Sequence, residues 1–175
     1  MAVVVIHPYS DDWPRQFDAV RDELRAIFAP LEVAIEHVGS TSILGLSAKP
    51  VIDVLLGAPS LAQIEAKITP LGDRGYTYVA RYEADLPLRR YFVQSAATAL
   101  RVHLHAVVTG SSFWQEQLAF RDLLRANAAL RTEYQDLKLR LAVQFADNKA
   151  AYTDAKGPFI QSVLATLSDN IDGTR

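Results

Sequence analysis

One carboxylate and two histidines lie where the sequence otherwise predicts buried strands. Asp53 interrupts the apolar run at 51–56, and an ionised carboxylate is rarely buried without a partner. His103 and His105 are two residues apart, and residues i and i+2 of a strand point to the same side of a sheet. If the two strands are neighbours, the three side chains could form a metal site with two histidines and one carboxylate. Alternatively, His105 hydrogen-bonds Asp53 and His103 is partly solvated.

A small-residue turn that precedes Asp53 has the features of an anion site. Gly39, Ser40 and Thr41 follow a short strand predicted at 35–38. The backbone N–H groups of such a turn, together with the two hydroxyl groups, are donors for a phosphate. Lys49, shortly before the strand of Asp53, would add a positive charge. The sequence therefore indicates a phosphate site beside the carboxylate.

The elements that position these residues alternate between strand and helix. In 101–108, Val102, Leu104 and Ala106 form an apolar side that must face the core, so the two histidines face the other way. Strands are predicted at 3–6, 35–38, 51–56, 76–82, 89–94 and 100–108, the last two joined by a turn at 95–98. Helices are predicted at 12–28, 61–71, 112–126, 128–145 and 153–167. The expected fold class is α+β, with a mixed, mostly antiparallel sheet, helices against one face and a helical C-terminal third.

The composition is that of a globular protein with unevenly distributed charge. The 175 residues carry a net charge of −2 and no cysteine, which excludes disulfides, zinc–thiolate sites and cysteine nucleophiles. Residues 1–88 carry seven Lys or Arg and twelve Asp or Glu, whereas residues 89–156 carry ten and six. A mildly basic second half suits phosphates but is too weak for duplex nucleic acid. We expect one domain at 1–168, a polar tail at 169–175, no membrane segment and a cytoplasmic location.

Several short segments resemble the GrpB family, also designated UPF0157. They are HVGSTS at 37–42, GLSAKP at 45–50, Ile52-Asp53, HLH at 103–105, FRDLLR at 120–125, and Tyr152-Thr153 with Lys156. The resemblance covers most of the chain and implies a nucleotidyltransferase-like fold, although the family's biochemical activity is poorly defined. In that superfamily a Gly-Ser turn grips nucleotide phosphates, and two carboxylates two residues apart on the next strand hold Mg²⁺ or Mn²⁺. Here Leu55 occupies the position of the second carboxylate, which departs from the two-metal pattern.

Further basic residues extend the expected phosphate site. Arg121 and Arg125 are one turn apart on the helix predicted at 112–126, where they either grip an anion or form a surface pair with Asp122. The resemblance implies that Arg121, Lys138 and Lys156 match the family pattern. The expected basic pocket consists of Arg90, Arg121, Lys138 and Lys156, in addition to Lys49.

These observations predict a transferase that binds a nucleotide or another phosphorylated small molecule. Asp53, His103 and His105 would hold a divalent metal, or Asp53 and His105 would take part directly in catalysis. Two alternatives remain open on the sequence. The chain could be an accessory or anion-binding module that has lost the metal carboxylates, or an enzyme that uses Asp53 and His105 for different acid–base chemistry.

Overall fold

A five-stranded sheet carries Asp53 and both histidines on adjacent strands. The computed structural model describes residues 3–95 and 100–172, with side chains as far as Leu167. The strands are β1 (Ala34–Val38), β2 (Val51–Ala58), β3 (Tyr76–Tyr78), β4 (Arg89–Gln94) and β5 (Arg101–Val108). Their order is β1-β2-β5-β4-β3, in which β2 and β5 are parallel and the other neighbours are antiparallel. The predicted mixed, mostly antiparallel sheet is confirmed.

Seven α-helices flank this sheet within the described part of the chain. They are α1 (Asp12–Phe28), α2 (Leu61–Glu65), α3 (Ile68–Gly72), α4 (Ser112–Ala126), α5 (Ala128–Gln144), α6 (Lys149–Asp154) and α7 (Gly157–Asp172). Ser60, Ser111 and Asn127 cap α2, α4 and α5, because each side chain accepts a hydrogen bond from an N–H group of the first turn. The helical C-terminal third is therefore confirmed, and with it the α+β class.

The main core lies on one face of the sheet. Ile52, Val54 and Leu56 of β2 alternate with the residues of the other face and are fully or almost fully buried. They pack with Leu104 of β5 and with the apolar side of α1, which includes Phe28. This packing fixes the orientation of β2 and β5, so Asp53 and the histidines are directed to the opposite face.

The second face of the sheet is covered at one end and open at the other. Leu55 and Val107 form a small cluster with Phe113 and Trp114, which belong to the start of α4. A Cβ atom at Gly57 would lie 2.8 Å from the Trp114 ring, so α4 is packed closely against β2. Because α4 covers only this end, the part of the face that carries Asp53 and His103 is free to form a site.

Several element boundaries differ from the prediction. The strand predicted at 3–6 is absent from the described chain, in which His7 forms an isolated bridge with Ala48. The helix predicted at 61–71 is two helices, since Pro70 has no N–H group and its ring clashes with the carbonyl four residues earlier in a continuous helix. Pro158 acts in the same way between α6 and α7, where one helix was predicted. The strand predicted at 76–82 ends at Tyr78. The last helix, predicted to end at residue 167, continues as α7 to Asp172. The turn predicted at 95–98 falls largely outside the described residues.

Candidate functional site

The parallel pairing of β2 and β5 brings Asp53 and the two histidines together. Asp53 is in register with His103, and the Oδ1 atom of Asp53 lies 3.4 Å from Nδ1 of His103. The same oxygen lies 3.8 Å from Nε2 of His105, which is two residues further along β5 and on the same face of the sheet. The meeting of these side chains, which the strand alternation predicts, is present in the structure.

Arg89 determines the tautomer of His105. Its Nη1 atom lies 3.1 Å from Nδ1 of His105, and a guanidinium group can only donate hydrogen bonds. Nδ1 is therefore the acceptor, and a neutral His105 ring carries its proton on Nε2, which faces Asp53. Burial and the nearby Arg89 charge lower the pKa of His105, although Asp53 opposes this effect. The ring is neutral near pH 7.

The same contacts keep Asp53 ionised. Burial alone would raise the pKa of this carboxyl group, but the hydrogen bonds and charges of His103 and His105 hold it well below its usual value. An ionised carboxylate thus faces the N–H group of a neutral imidazole. Such a pair is able to position a proton or a hydroxyl group of a ligand.

Gly39 allows the turn after β1 to approach Asp53 closely. Its φ is 69° and its ψ is −176°, a conformation that is essentially restricted to glycine. A Cβ atom at this position would lie 2.3 Å from Oδ2 of Asp53, so the absence of a side chain is required. The next residues, Ser40–Ser42, form a 3₁₀ turn. The predicted Gly-Ser-Thr turn therefore contacts the predicted carboxylate directly.

The two hydroxyl groups of this turn have different surroundings. The Thr41 hydroxyl donates a hydrogen bond to the carbonyl of Val51 and accepts one from the Nε2–H group of His37, both at 3.0 Å. These two hydrogen bonds hold the turn in place. The Ser40 hydroxyl is contacted by Nζ of Lys138 at 3.1 Å and lines the cavity described below. Of the two, Ser40 is the one available to a ligand.

A lysine cluster, consisting of Lys49, Lys138 and Lys156, lies beside this turn. Lys138 is only 2% exposed, and its Nζ also donates to the carbonyl of Ser47. The Nζ atoms of Lys49 and Lys156 each lie 4.7 Å from the centre of the Tyr152 ring. Burial and repulsion from Lys156 lower the pKa of Lys138 to about 7 and that of Lys49 to about 8, and burial also lowers the pKa of Lys156. Burial is the larger cause of these lowered pKa values, and repulsion from Lys156 adds to it for Lys49 and Lys138.

These groups line one cavity of about 750 Å³, which we call the cationic cavity. The volume is within the range of small-molecule sites. Within the described part of the chain, the charged side chains that line it are Lys49, Arg81, Arg89, Arg101, Lys138, Lys149 and Lys156, with the carboxylates Asp53 and Asp154. This excess of positive charge favours an anionic ligand.

Arg90 and Arg121, which the sequence assigns to the basic pocket, are not brought to this cavity. Arg90 is in register with Ala106 and so faces the core side of the sheet, where its Nε donates to Glu65 at 2.8 Å. Nη1 of Arg121 donates to Glu36 at 2.7 Å and to the carbonyl of His37 at 3.2 Å, and thus ties α4 to β1. The prediction that these two arginines complete the pocket is wrong, because strand alternation and carboxylate partners direct them elsewhere.

Two cavity residues on β4 were missed. Arg89 and Tyr91 alternate with Arg90 and therefore lie on the same face as the histidines, with Tyr91 in register with His105. Applying the alternation rule to 89–94, as it is applied to 101–108, would have identified both. His37 is directed to the core side, where it stacks on Phe17 and burial lowers its pKa to about 4.

The residues of the cavity do not fit the Mg²⁺ or Mn²⁺ site that the sequence suggests. Leu55, in the place of a second carboxylate, is fully buried against α4. Among residues 3–95 and 100–172, no three His, Asp or Glu side chains are arranged to hold a metal ion. Nε2 of His105 carries a proton, and Mg²⁺ prefers several oxygen ligands. One carboxylate among several cations is a poor donor set for such an ion.

A solved structure shows which known fold this chain resembles. The chain superposes on terminal uridylyl transferase 4 from Trypanosoma brucei with a TM-score of 0.55 and 16% sequence identity, covering 86% of this chain and 52% of the other. At this identity the likeness concerns the fold alone, which is nucleotidyltransferase-like.

No helix in the described residues is long and apolar enough to cross a membrane.

The sequence comparisons identify the family. Residues 3–166 match the GrpB protein family, and the chain belongs to it. It is 32% identical to the glutamate-rich protein GrpB of Alkalihalophilus pseudofirmus over 92% of this chain and 94% of that protein. It is 34% identical to a UPF0157 protein of Halalkalibacterium halodurans over 93% of this chain and 82% of that protein. The crystal structure of GrpB from Enterococcus faecalis matches with a TM-score of 0.83 at 29% identity, covering 93% and 96% of the two chains.

Proposed function

We propose that this protein binds a phosphorylated small molecule, such as a nucleotide, in the cationic cavity, and that it does so without a divalent metal. The observation that carries this proposal is the lysine cluster beside Ser40. Three ammonium groups with lowered pKa values lie close together, and Lys138 is almost fully buried. Buried charges are unfavourable unless they are paired, so a bound phosphate would stabilise the charged form of these lysines through charged hydrogen bonds.

Asp53 has a separate role in this proposal. It lies on the strand beside the turn, and its negative charge would repel a phosphate placed directly over it. We therefore place the phosphate over Ser40 and the lysine cluster, and leave Asp53 and His105 facing another part of the ligand. Asp53 accepts a hydrogen bond from a ligand hydroxyl group, and the N–H group of His105, whose Nε2 lies 3.8 Å from Oδ1 of Asp53, faces the same carboxylate.

A second candidate function is transfer of a nucleotidyl group. It is supported by the fold shared with terminal uridylyl transferase 4 and by the position of Asp53 on the strand that follows a Gly-Ser turn. It would require a divalent metal ion, and among the described strand residues Asp53 is the carboxylate that lines the cavity, with the buried Leu55 where a second one would be needed. A third candidate, acid–base chemistry by Asp53 and His105 on a bound phosphorylated molecule, is compatible with metal-free binding.

The proposal is tested by thermal shift with ATP, UTP and inorganic triphosphate, each in EDTA, Mg²⁺ or Mn²⁺. A ligand at about one hundred times its dissociation constant stabilises the folded protein by about 2.7 kcal/mol, which is a measurable shift. We expect stabilisation in EDTA that Asp53→Asn retains. Stabilisation that needs a metal and is lost in Asp53→Asn would instead support nucleotidyl transfer, and no shift with any phosphate would refute both.

A further inference from the structure

The cationic cavity extends across several strands, and its two ends differ chemically. Ser40 follows β1, Asp53 lies on β2, His103 on β5 and Tyr91 on β4, and these strands are neighbours in that order. Because adjacent strands are about 4.8 Å apart, the backbone of Tyr91 on β4 is about 10 Å from that of β2, and Ser40, which Lys138 contacts, follows β1 on the other side of β2. The cavity is therefore long enough for a ligand with two distinct ends.

The end opposite the lysine cluster is aromatic. The rings of Tyr82 and Tyr91 meet edge to face with their centroids 5.8 Å apart. Tyr82 is 37% exposed, although an aromatic ring is normally more buried, and it lines the cavity. Arg81 lies over the Tyr82 ring at 4.8 Å. The Tyr91 ring is contacted by Arg89 and His105, so the exposed part of the Tyr82 ring is the surface that is open to a planar ligand.

Arg89 adds a hydrogen-bond donor at the aromatic end. Its guanidinium lies 5.0 Å from the Tyr91 ring and 5.6 Å from the Phe113 ring, and it forms no ion pair within the described part of the chain. Its contact with His105 uses Nη1, and its Nε is buried with no acceptor among the residues that the structure describes. A guanidinium held between rings and without a carboxylate partner suits a planar ligand that carries acceptor atoms.

We propose that the Tyr82–Tyr91 end of the cavity stacks on the planar ring of a nucleoside phosphate whose phosphates lie at the lysine cluster. The inference rests on the proposed function and narrows it. The ligand is a nucleotide, rather than an inorganic polyphosphate or a sugar phosphate. Asp53, which lies between the two ends, then faces the ribose, and its ionised carboxylate accepts from a ribose hydroxyl group.

Isothermal titration in EDTA with ATP, UTP, a sugar bisphosphate and inorganic triphosphate tests this inference. Three variants are compared: Tyr82→Leu removes the ring, Tyr82→Phe keeps it, and Leu88→Ala is an exposed control in the same β3–β4 connection. We expect at least one nucleotide to bind wild type more tightly than triphosphate does. Tyr82→Leu should weaken that nucleotide about tenfold and leave triphosphate unchanged, since stacking on an aromatic side chain contributes about this much. Tyr82→Phe should retain most of the affinity.

Other outcomes separate this inference from the proposed function. Triphosphate that binds as tightly as every nucleotide, or a Tyr82→Leu effect of equal size on both, would overturn the aromatic subsite and leave phosphate binding intact. Tighter binding of a sugar bisphosphate than of any nucleotide would assign Arg89 to a second phosphate, which also overturns it. If neither triphosphate nor nucleotides bind, the proposed function fails and the inference fails with it.

Discussion

Replacing Gly39 by alanine would place a methyl group inside the contact between the Gly-Ser turn and Asp53. The added Cβ would lie 2.3 Å from Oδ2 and 2.9 Å from Cβ and Cγ of Asp53. These atoms are not the end of a mobile side chain, because Asp53 is held between the histidines of β5. The strand or the turn would have to move.

Two contributions set the expected magnitude. The φ of Gly39 is 69° with an extended ψ, and such a conformation costs a residue with a side chain about 1–3 kcal/mol. Overpacking in a closely packed region costs about 1–3 kcal/mol more. Gly39→Ala should therefore lower the free energy of unfolding by about 2–6 kcal/mol, a large fraction of the stability of a typical domain.

Gly45 is a matched control for the backbone contribution. Its φ is 78°, but a Cβ atom there would meet no atom of the described part of the chain within 4 Å. Gly45→Ala should cost only about 1–2 kcal/mol. Urea unfolding followed by circular dichroism would measure both variants. Equal destabilisation by Gly39→Ala and Gly45→Ala would refute the close approach of the turn to Asp53.

Three further predictions concern charged groups. His103 and His105 lower the pKa of Asp53 in the folded protein, although burial of this carboxyl group opposes the shift. Because the pKa of Asp53 is about 4 in the unfolded chain, its ionised form stabilises the fold above about pH 4, and this stability is lost as the pH falls. Acid unfolding monitored below about pH 5 should thus be steeper for wild type than for Asp53→Asn. The pKa of Lys138 is lowered by burial to about 7, so the unfolded chain binds more protons above that pH. Stability of the unliganded protein should rise between about pH 7 and 9, with a smaller slope in Lys138→Met; an unchanged slope would contradict the assignment. Arg121→Ala should cost about 2 kcal/mol in urea unfolding through its lost charged hydrogen bonds, and titration should show no change in triphosphate affinity.

The strand residues of the site could be predicted because alternation is a local property. An apolar side at Val102, Leu104 and Ala106 requires that His103 and His105 face away from the core. The same rule gave the orientation of Asp53. These residues meet only because β2 and β5 are parallel neighbours in the sheet. Alternation within a strand does not reveal which other strand it pairs with.

The basic residues were harder to assign because their partners are distant in sequence. Arg121 is bound to Glu36, 85 residues earlier, and Arg90 to Glu65, so neither charge is free for a ligand. Lys138 was assigned to the basic pocket only through the family resemblance, since no local pattern indicates that a lysine on an amphipathic helix is buried. The helix breaks before Pro70 and Pro158 were not predicted, although both follow from the missing proline N–H group.

Titration of inorganic triphosphate into the protein in EDTA, followed by calorimetry, is the most direct test of metal-free anion binding in the cationic cavity. We predict binding in EDTA that Mg²⁺ does not strengthen. Lys138→Met and Lys156→Met should each weaken it about tenfold or more, because each removes a charged hydrogen-bond donor from a buried site. Circular dichroism would verify that both variants are folded. Binding that occurs only with Mg²⁺ or Mn²⁺, or that both lysine variants retain in full, would contradict the account.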